Sequence, residues 1–468
     1  MVHTLQKPTW LRAFDAFLYK PAYLFLCAGL TILSNLCGAE FFTYSCFVFI
    51  VLYLCFFGQD LLPTLPLFVC SYVAPSRDSN PGRNEASMFS LEGGGLYLII
   101  LAALLVIGLI YRIARDKELG RMNFIKCKRI LLPGMLALGG AYLLSGLFSE
   151  QFSKVGWSNV LFAFIQTAAI IVPYLLITAT VKWEEAPAGY LAWTGMCVGY
   201  VLLAELGYIY VRYGIVSGGV INRDLIYTGW GHYNNMGSLL AMMIPFPFFL
   251  TGKGKHTGVF YISGLLFLGG VLFTCSRGSI LCGVVTYLSS YIISLLHSRR
   301  ARANAFIHIC TGLGILVVFL IFSDDLLRLF STLLGFRLDP SGRDDGYIGG
   351  LKQFWADPIF GATFYPVDYP LYSWSTSQEF VSFFPARWHN TIIQILASCG
   401  IVGMVAYIYH RFQTVRLFFK NFSGAKMFPF VSMMTLLLTS MVDCHFFNIG
   451  PVLFYSTMLA FVEKRLDK

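Results

Sequence analysis

Charged side chains are scarce in this sequence. Asp, Glu, Lys and Arg make up 12% of its 468 residues, about half the share of a soluble globular chain. That scarcity excludes an ordinary water-soluble enzyme. Disorder is excluded too, because 57% of the residues are apolar and so much apolar surface must be buried somewhere. Period-two alternation is missing, so a membrane barrel does not fit. The 12 cysteines form no CxxC pair. Cys27, Cys46, Cys70, Cys197, Cys282 and Cys310 lie inside apolar runs and read as small buried hydrophobes. Neither a disulfide framework nor a metal site follows, and nothing calls for a cofactor.

What is present is a series of apolar runs of about 15–24 residues, the length a helix needs to cross a hydrocarbon layer, with a mean hydropathy of +0.67. Backbone groups in lipid must bond internally, so helices are implied. The runs predict helices near 21–37, 41–58, 61–74, 94–111, 130–148, 158–181, 187–210, 237–251, 257–275, 279–297, 304–322, 391–409, 427–441 and 449–462. The fold class is an all-α polytopic membrane protein of about 12–14 spans, one helical domain over 1–468. Residues 1–20 are mildly basic and amphipathic. No small-x-small cleavage site precedes the second run, so the first run reads as a retained helix. No 20–50-residue repeat and no pair of matched halves with broken helices stands out.

The net charge of +10 invites a nucleic-acid reading, but no basic-aromatic module or zinc spacing accompanies it. Instead, Lys and Arg cluster between the apolar runs. Assigned to alternate sides of the predicted spans, 23 fall on one side and 11 on the other. The positive-inside rule then puts both termini in the cytoplasm. The opposite face carries one large loop, 323–388, too long to be a mere connector. It holds 15 aromatics, eight acids and five bases. The aromatics read either as an interfacial belt or, for Tyr365, Tyr369, Tyr372 and Trp374, as surfaces that stack on sugar rings.

Charge at or near the apolar boundary is expensive and marks function. Glu205, Arg277, Asp443 and His389 stand out. Arg277 sits in Thr274-Cys275-Ser276-Arg277-Gly278, a turn between two runs with no room for a loop. Either it snorkels or it holds an anion at headgroup depth, where Gly278 allows close approach. In the large loop, Ser341 with Asp344 looks like a helix start and Asp357-Pro358 like its end, although Gly349-Gly350 weakens the helix. Arg343 would stand in its first turn, where an anion is already favoured, or pair with Asp344 or Asp345. His389 follows Arg387 and Trp388 and precedes Asn390. Nearby arginines favour the neutral imidazole that a general base requires, and Asp443 could orient that ring or an arginine. Two guanidiniums, a histidine and a carboxylate thus converge on the outer leaflet. Such planar forks bind phosphate bidentately and could stabilise a departing pyrophosphate.

The ordered set Gly231-His232-Tyr233-Asn234-Asn235-Met236-Gly237, Ser276-Arg277-Gly278, Ser341-Gly342-Arg343, Asp357-Pro358-Ile359-Phe360-Gly361, His389-Asn390 and Cys399-Gly400-Ile401-Val402-Gly403 resembles the O-antigen ligase/polymerase superfamily. These are membrane glycosyltransferases of bacterial surface polysaccharide and lipopolysaccharide assembly. The match covers a core of about 220–445, roughly half the chain. The resemblance implies a glycan donor on undecaprenyl pyrophosphate, a glycan or lipid acceptor, metal-independent transfer at the outer face of the bacterial inner membrane, and contacts with other assembly proteins. It assigns Arg277 and Arg343 to the pyrophosphate and His389 to the acceptor hydroxyl. Arg223, Asn235, Asn390, Asp443 and Trp388 are candidates for substrate binding. The family's Asn-Pro-Asn-like triplet reads Tyr-Asn-Asn at 233–235, which leaves the roles of Asn234 and Asn235 open.

An inverting glycosyltransferase is the first expectation. Polymerase and ligase differ only in acceptor, and the reading leans to polymerase. A lipid-linked glycan transporter is the alternative. It predicts polar groups near the midplane on several helices, of which the sequence shows only Glu205. A non-catalytic scaffold of the assembly machinery is a third reading and would place no constraint on Arg343.

Overall fold

The structure is a computed structural model. It describes residues 8–463 apart from 38, 68–95, 119–128, 150–156, 182–186, 214–215, 218–219, 222–225, 229–230, 252–256, 298–300, 322–342, 363–387 and 421–423. The chain is an all-α polytopic membrane protein. Its helices are α1 Thr9–Leu18, α2 Pro21–Cys37, α3 Glu40–Phe56, α4 Leu96–Glu118, α5 Leu132–Phe148, α6 Trp157–Thr180, α7 Pro187–Tyr213, α8 Tyr233–Met243, α9 Pro245–Thr251, α10 Thr257–Phe273, α11 Arg277–His297, α12 Ala301–Ile321, α13 Arg343–Ala356, α14 Thr391–Lys420, α15 Gly424–Thr439 and α16 Ile449–Glu463. Among the described residues, five helices are long and apolar enough to cross a membrane, or six if the bent pair α1–α2 counts as one span; five more are apolar and shorter.

The predicted runs recur as helices, with instructive differences. The run at 237–251 begins earlier and breaks into α8 and α9 ahead of Pro245, where proline removes a backbone donor. The run at 391–409 continues to Lys420, because its first cation, Arg411, is not a loop charge. The Arg411 guanidinium lies over the rings of Tyr407, Phe446 and Tyr455 at 4.6, 4.4 and 5.0 Å and donates to the Tyr455 hydroxyl. Arg112, likewise placed in a cytoplasmic connection by sequence, is buried. It caps the end of α3 through the carbonyls of Leu54 and Gly58 at 2.9 and 2.8 Å, neutralising the negative helix terminus. Four two-residue strands, β1 Val216–Ser217, β2 Val220–Ile221, β3 Tyr227–Thr228 and β4 Gly231–His232, form two small hairpins between α7 and α8. Elements that short leave no periodicity to read. The third predicted run, 61–74, is described only as far as Leu67, beginning with a 3-10 turn at Leu62–Thr64.

At the centre stands α8, every residue of which is buried except Asn234 at its start. It packs on α10, α11 and α15, while α5 joins α14 to α6, and α6 packs on α16. Glu205, the lone intramembrane acid of the sequence reading, accepts from the Asn35 side chain and so ties α7 to α2.

Candidate active site

Four turns meet at one end of this bundle: those before α8, between α10 and α11, before α14, and after α15. The α10–α11 turn is only Thr274–Ser276. Cys275 within it takes φ +58°, a left-handed conformation costing about 1–2 kcal/mol for a non-glycine residue. Ser276 caps α11, its carbonyl accepting from Ile280 N–H at 2.8 Å and its hydroxyl lying 3.4 Å from Ser279 N. Arg277 is therefore the first residue of α11 and is exposed. Its charge stands where the helix already offers free N–H groups and a positive dipole end. The close approach expected at Gly278 is made by protein: a Cβ there would stand 2.6 Å from Val442. This sets the start of α11 against the turn that carries Asp443.

His389 is the second non-glycine residue at positive φ, +51°. Its neighbour holds it there. Asn390 caps α14, its amide oxygen accepting from Ile392 N–H at 2.9 Å and its amide nitrogen donating to the Met441 carbonyl at 3.1 Å. The Thr391 N–H donates to the Ser440 carbonyl at 2.9 Å. These bonds stitch the start of α14 to the turn after α15 and bring His389 Nδ1 to 3.3 Å from Asp443 Oδ1. A carboxylate can only accept, so Nδ1 carries the proton of this bond, and in the neutral ring that leaves the lone pair on Nε2. The His389 side chain is 42% exposed and that of Asp443 only 9%. The ring can meet a substrate while the acid behind it cannot.

Asp443 is itself fixed by neutral donors. Cys444 N–H donates to Oδ1 at 2.7 Å, and Asn234 Nδ2 donates to Oδ2 at 3.1 Å. Because the Asn234 nitrogen is thus committed, its Oδ1 must accept, and Ser276 Oγ supplies that bond at 2.7 Å. One chain of bonds runs from the Ser-Arg-Gly turn through Asn234 and Asp443 to His389. Asn234 and Ser276 were not singled out as site residues from sequence. The signal was present, since both lie in the quoted motifs, but only folding distinguishes Asn234 from its neighbour. Asn235 faces inward, its Oδ1 accepting from Asn448 and lying 2.8 Å from His445 Nδ1.

Arg343 is the first residue of α13, so the helix expected there forms. Gly349-Gly350, read as a weakness, is what docks it: Cβ atoms there would stand 2.8 and 3.1 Å from the Trp388 ring. Trp388 is 1% exposed and so serves packing between α13 and the start of α14, not a substrate surface. One turn beyond Arg343, Tyr347 Oη lies 3.5 Å from the His389 carbonyl. At the other end of α13, the Asp357–Gly361 turn fits into a break in α14. Pro358 and Ile359 carbonyls accept from Ile401 and Val402 N–H at 2.9 and 3.2 Å. Gly361 and Gly400, at φ +78° and +61°, allow the two backbones to touch. The structure brings Arg277, His389, Asn390 and Asp443 together and runs the Arg343 helix past them. Arg223, Arg387, Tyr365, Tyr369, Tyr372 and Trp374 lie outside the described residues.

Residues 262–408 match the family model described as O-antigen ligase. The matched stretch carries Arg277, Arg343 and His389 and supports the resemblance to the O-antigen ligase/polymerase superfamily. Asn234 and Asp443 come from outside it. No curated protein matches the chain.

Proposed function

From residues 262–408 as an O-antigen ligase domain, we propose that the protein transfers a glycan from undecaprenyl pyrophosphate to an acceptor hydroxyl on the outer face of the bacterial inner membrane. The observation that carries this reading is the His389–Asp443 pair, with His389 at a strained positive φ and the turn of Asp443 packed on the start of the Arg277 helix. Strain of this kind persists where surrounding structure over-determines it, and it clusters at active sites.

In the proposed step, His389 Nε2 takes the proton of the acceptor hydroxyl. The oxygen forms a bond to the anomeric carbon from the side opposite the phosphate, and the carbon–oxygen bond to the pyrophosphate breaks. The electron pair leaves on the pyrophosphate, and the configuration inverts. Arg277 and Arg343 neutralise the charge that develops there, and Asp443 keeps the imidazole in the useful tautomer and steadies the imidazolium. Replacing His389 by Ala should remove product while lipid-linked donor still binds. Wild-type turnover in that variant would end the proposal. The reading leans to a polymerase, whose acceptor is a second lipid-linked unit.

One finding favours the transporter alternative. Polar groups inside the bundle are more numerous than Glu205: Gln166, Asn235, His410, Asn448 and Tyr455 are all buried on or beside spanning helices. They bond to one another and to backbone carbonyls, as at Gln166 Nε2 to Phe447 O, 2.5 Å, which supports a packing role. Translocation of donor in vesicles without glycan transfer would reverse that judgement.

A further inference from the structure

The face of α13 turned away from Trp388 is apolar and exposed. Ile348, Leu351, Trp355 and Ile359 succeed one another at three- and four-residue spacing, and Trp355 is 74% exposed. A bulky apolar stripe of this kind on a water-facing loop helix would be unusual. It does not end with the loop. The bond from Val402 N–H to the Ile359 carbonyl sets Ile359 beside Ile401, on an exposed apolar face of α14 that continues through Val405 and Ile408. That helix is long and apolar enough to span a bilayer, so its exposed apolar face is its lipid face.

Depth follows from α5. It has 17 residues, about 25 Å of helix, against a hydrocarbon layer of about 30 Å. Its ends therefore cannot project far beyond the layer. Phe148, the last residue of α5, lies 5.5 Å from the Phe360 ring, and Ser145 donates to the Ser398 carbonyl. The turn that closes α13 and the break in α14 thus sit at the acyl boundary of one leaflet.

We propose that α13 is an interfacial helix whose Ile348–Ile359 stripe is embedded in the phospholipid acyl chains of the leaflet on the site's side. Lys352, exposed within the stripe, reaches up to the headgroups along its aliphatic stem, and Trp355 takes the boundary position tryptophan favours. Membrane contact would then fix the height of α13, which begins at Arg343 and reaches the His389 carbonyl through Tyr347. This inference concerns placement in the bilayer and holds whether or not the protein transfers glycans.

The test is fluorescence quenching in nanodiscs, comparing wild type with Trp355→Phe. One disc set contains phospholipid brominated near the glycerol end of the acyl chain, and the other contains ordinary lipid with added acrylamide. Brominated lipid should quench a component that W355F lacks, with no acrylamide-sensitive component assignable to Trp355. Restoration of the lipid-quenched component by I348W in the W355F background would confirm the stripe. Quenching of Trp355 by acrylamide alone would overturn the proposal, as would protection from both agents, which would signal a protein partner.

Discussion

His389 and Asp443 have only one arrangement in which both serve chemistry. The acid accepts from Nδ1–H, which leaves Nε2 for the acceptor hydroxyl of the proposed step. Removing the imidazole should lower turnover by about 10²–10⁴-fold, the usual contribution of a positioned general base, as read from glycan transfer by purified H389A. Asn234 acts a step further back, as a positioning residue that donates to Asp443 and accepts from Ser276. A hydrogen bond to a charged group contributes about 1.5–3 kcal/mol, so N234A should slow turnover by up to roughly 10–150-fold without raising the KM for donor. The sharper reading is a double-mutant cycle. In a D443A background the Asn234 substitution should add little, because its effect passes through the lost carboxylate. Additive losses would show that Asn234 works independently of Asp443.

Among the elements, α14 does the most positioning. The turn just before it presents His389, its break at Gly400 receives the end of α13, and its later turns carry Arg411. Gly400→Ala would place a methyl group against the Ile359 carbonyl at a φ of +61°. With ψ at −157° this backbone region is essentially reserved for glycine and costs another residue about 1–3 kcal/mol, and undocking of α13 adds to that. Thermal unfolding in detergent should show a clear loss, accompanied by reduced transfer; unchanged stability and activity would mean that the Pro358–Gly361 turn does not anchor α13. Deeper in the bundle, Tyr455 accepts from Arg411, whose Nε and Nη2 have no hydrogen-bond partner among the described residues. Tyr455→Phe takes away that acceptor while keeping the ring that faces the cation. Such a change should destabilise by about 1–3 kcal/mol, checked by the same melting measurement, with full stability as the contrary result.

Across the whole molecule, the helices were legible because lipid demands long apolar runs, and the cationic turns because charge is rare at the boundary. Arg277, His389 and Asp443 could be picked out on those grounds, and the Asp357-Pro358 stop marked the end of α13. What could not be read was partnership. Nothing in the local sequence separates Asn234, which faces the site, from Asn235, which faces inward, since α8 turns them apart by helical geometry alone. Arg411 and Arg112 looked like loop charges because composition cannot see an aromatic cage or a neighbouring helix end. Gly349-Gly350 argued against a helix until Trp388 supplied a reason for it. The decisive measurement is incubation of purified protein, reconstituted in vesicles, with lipid-linked repeat unit alone and then with added acceptor glycolipid. New glycosidic linkage with release of the lipid pyrophosphate is the expected result, lost in H389A. Donor that crosses the vesicle membrane chemically unchanged in both incubations would contradict it.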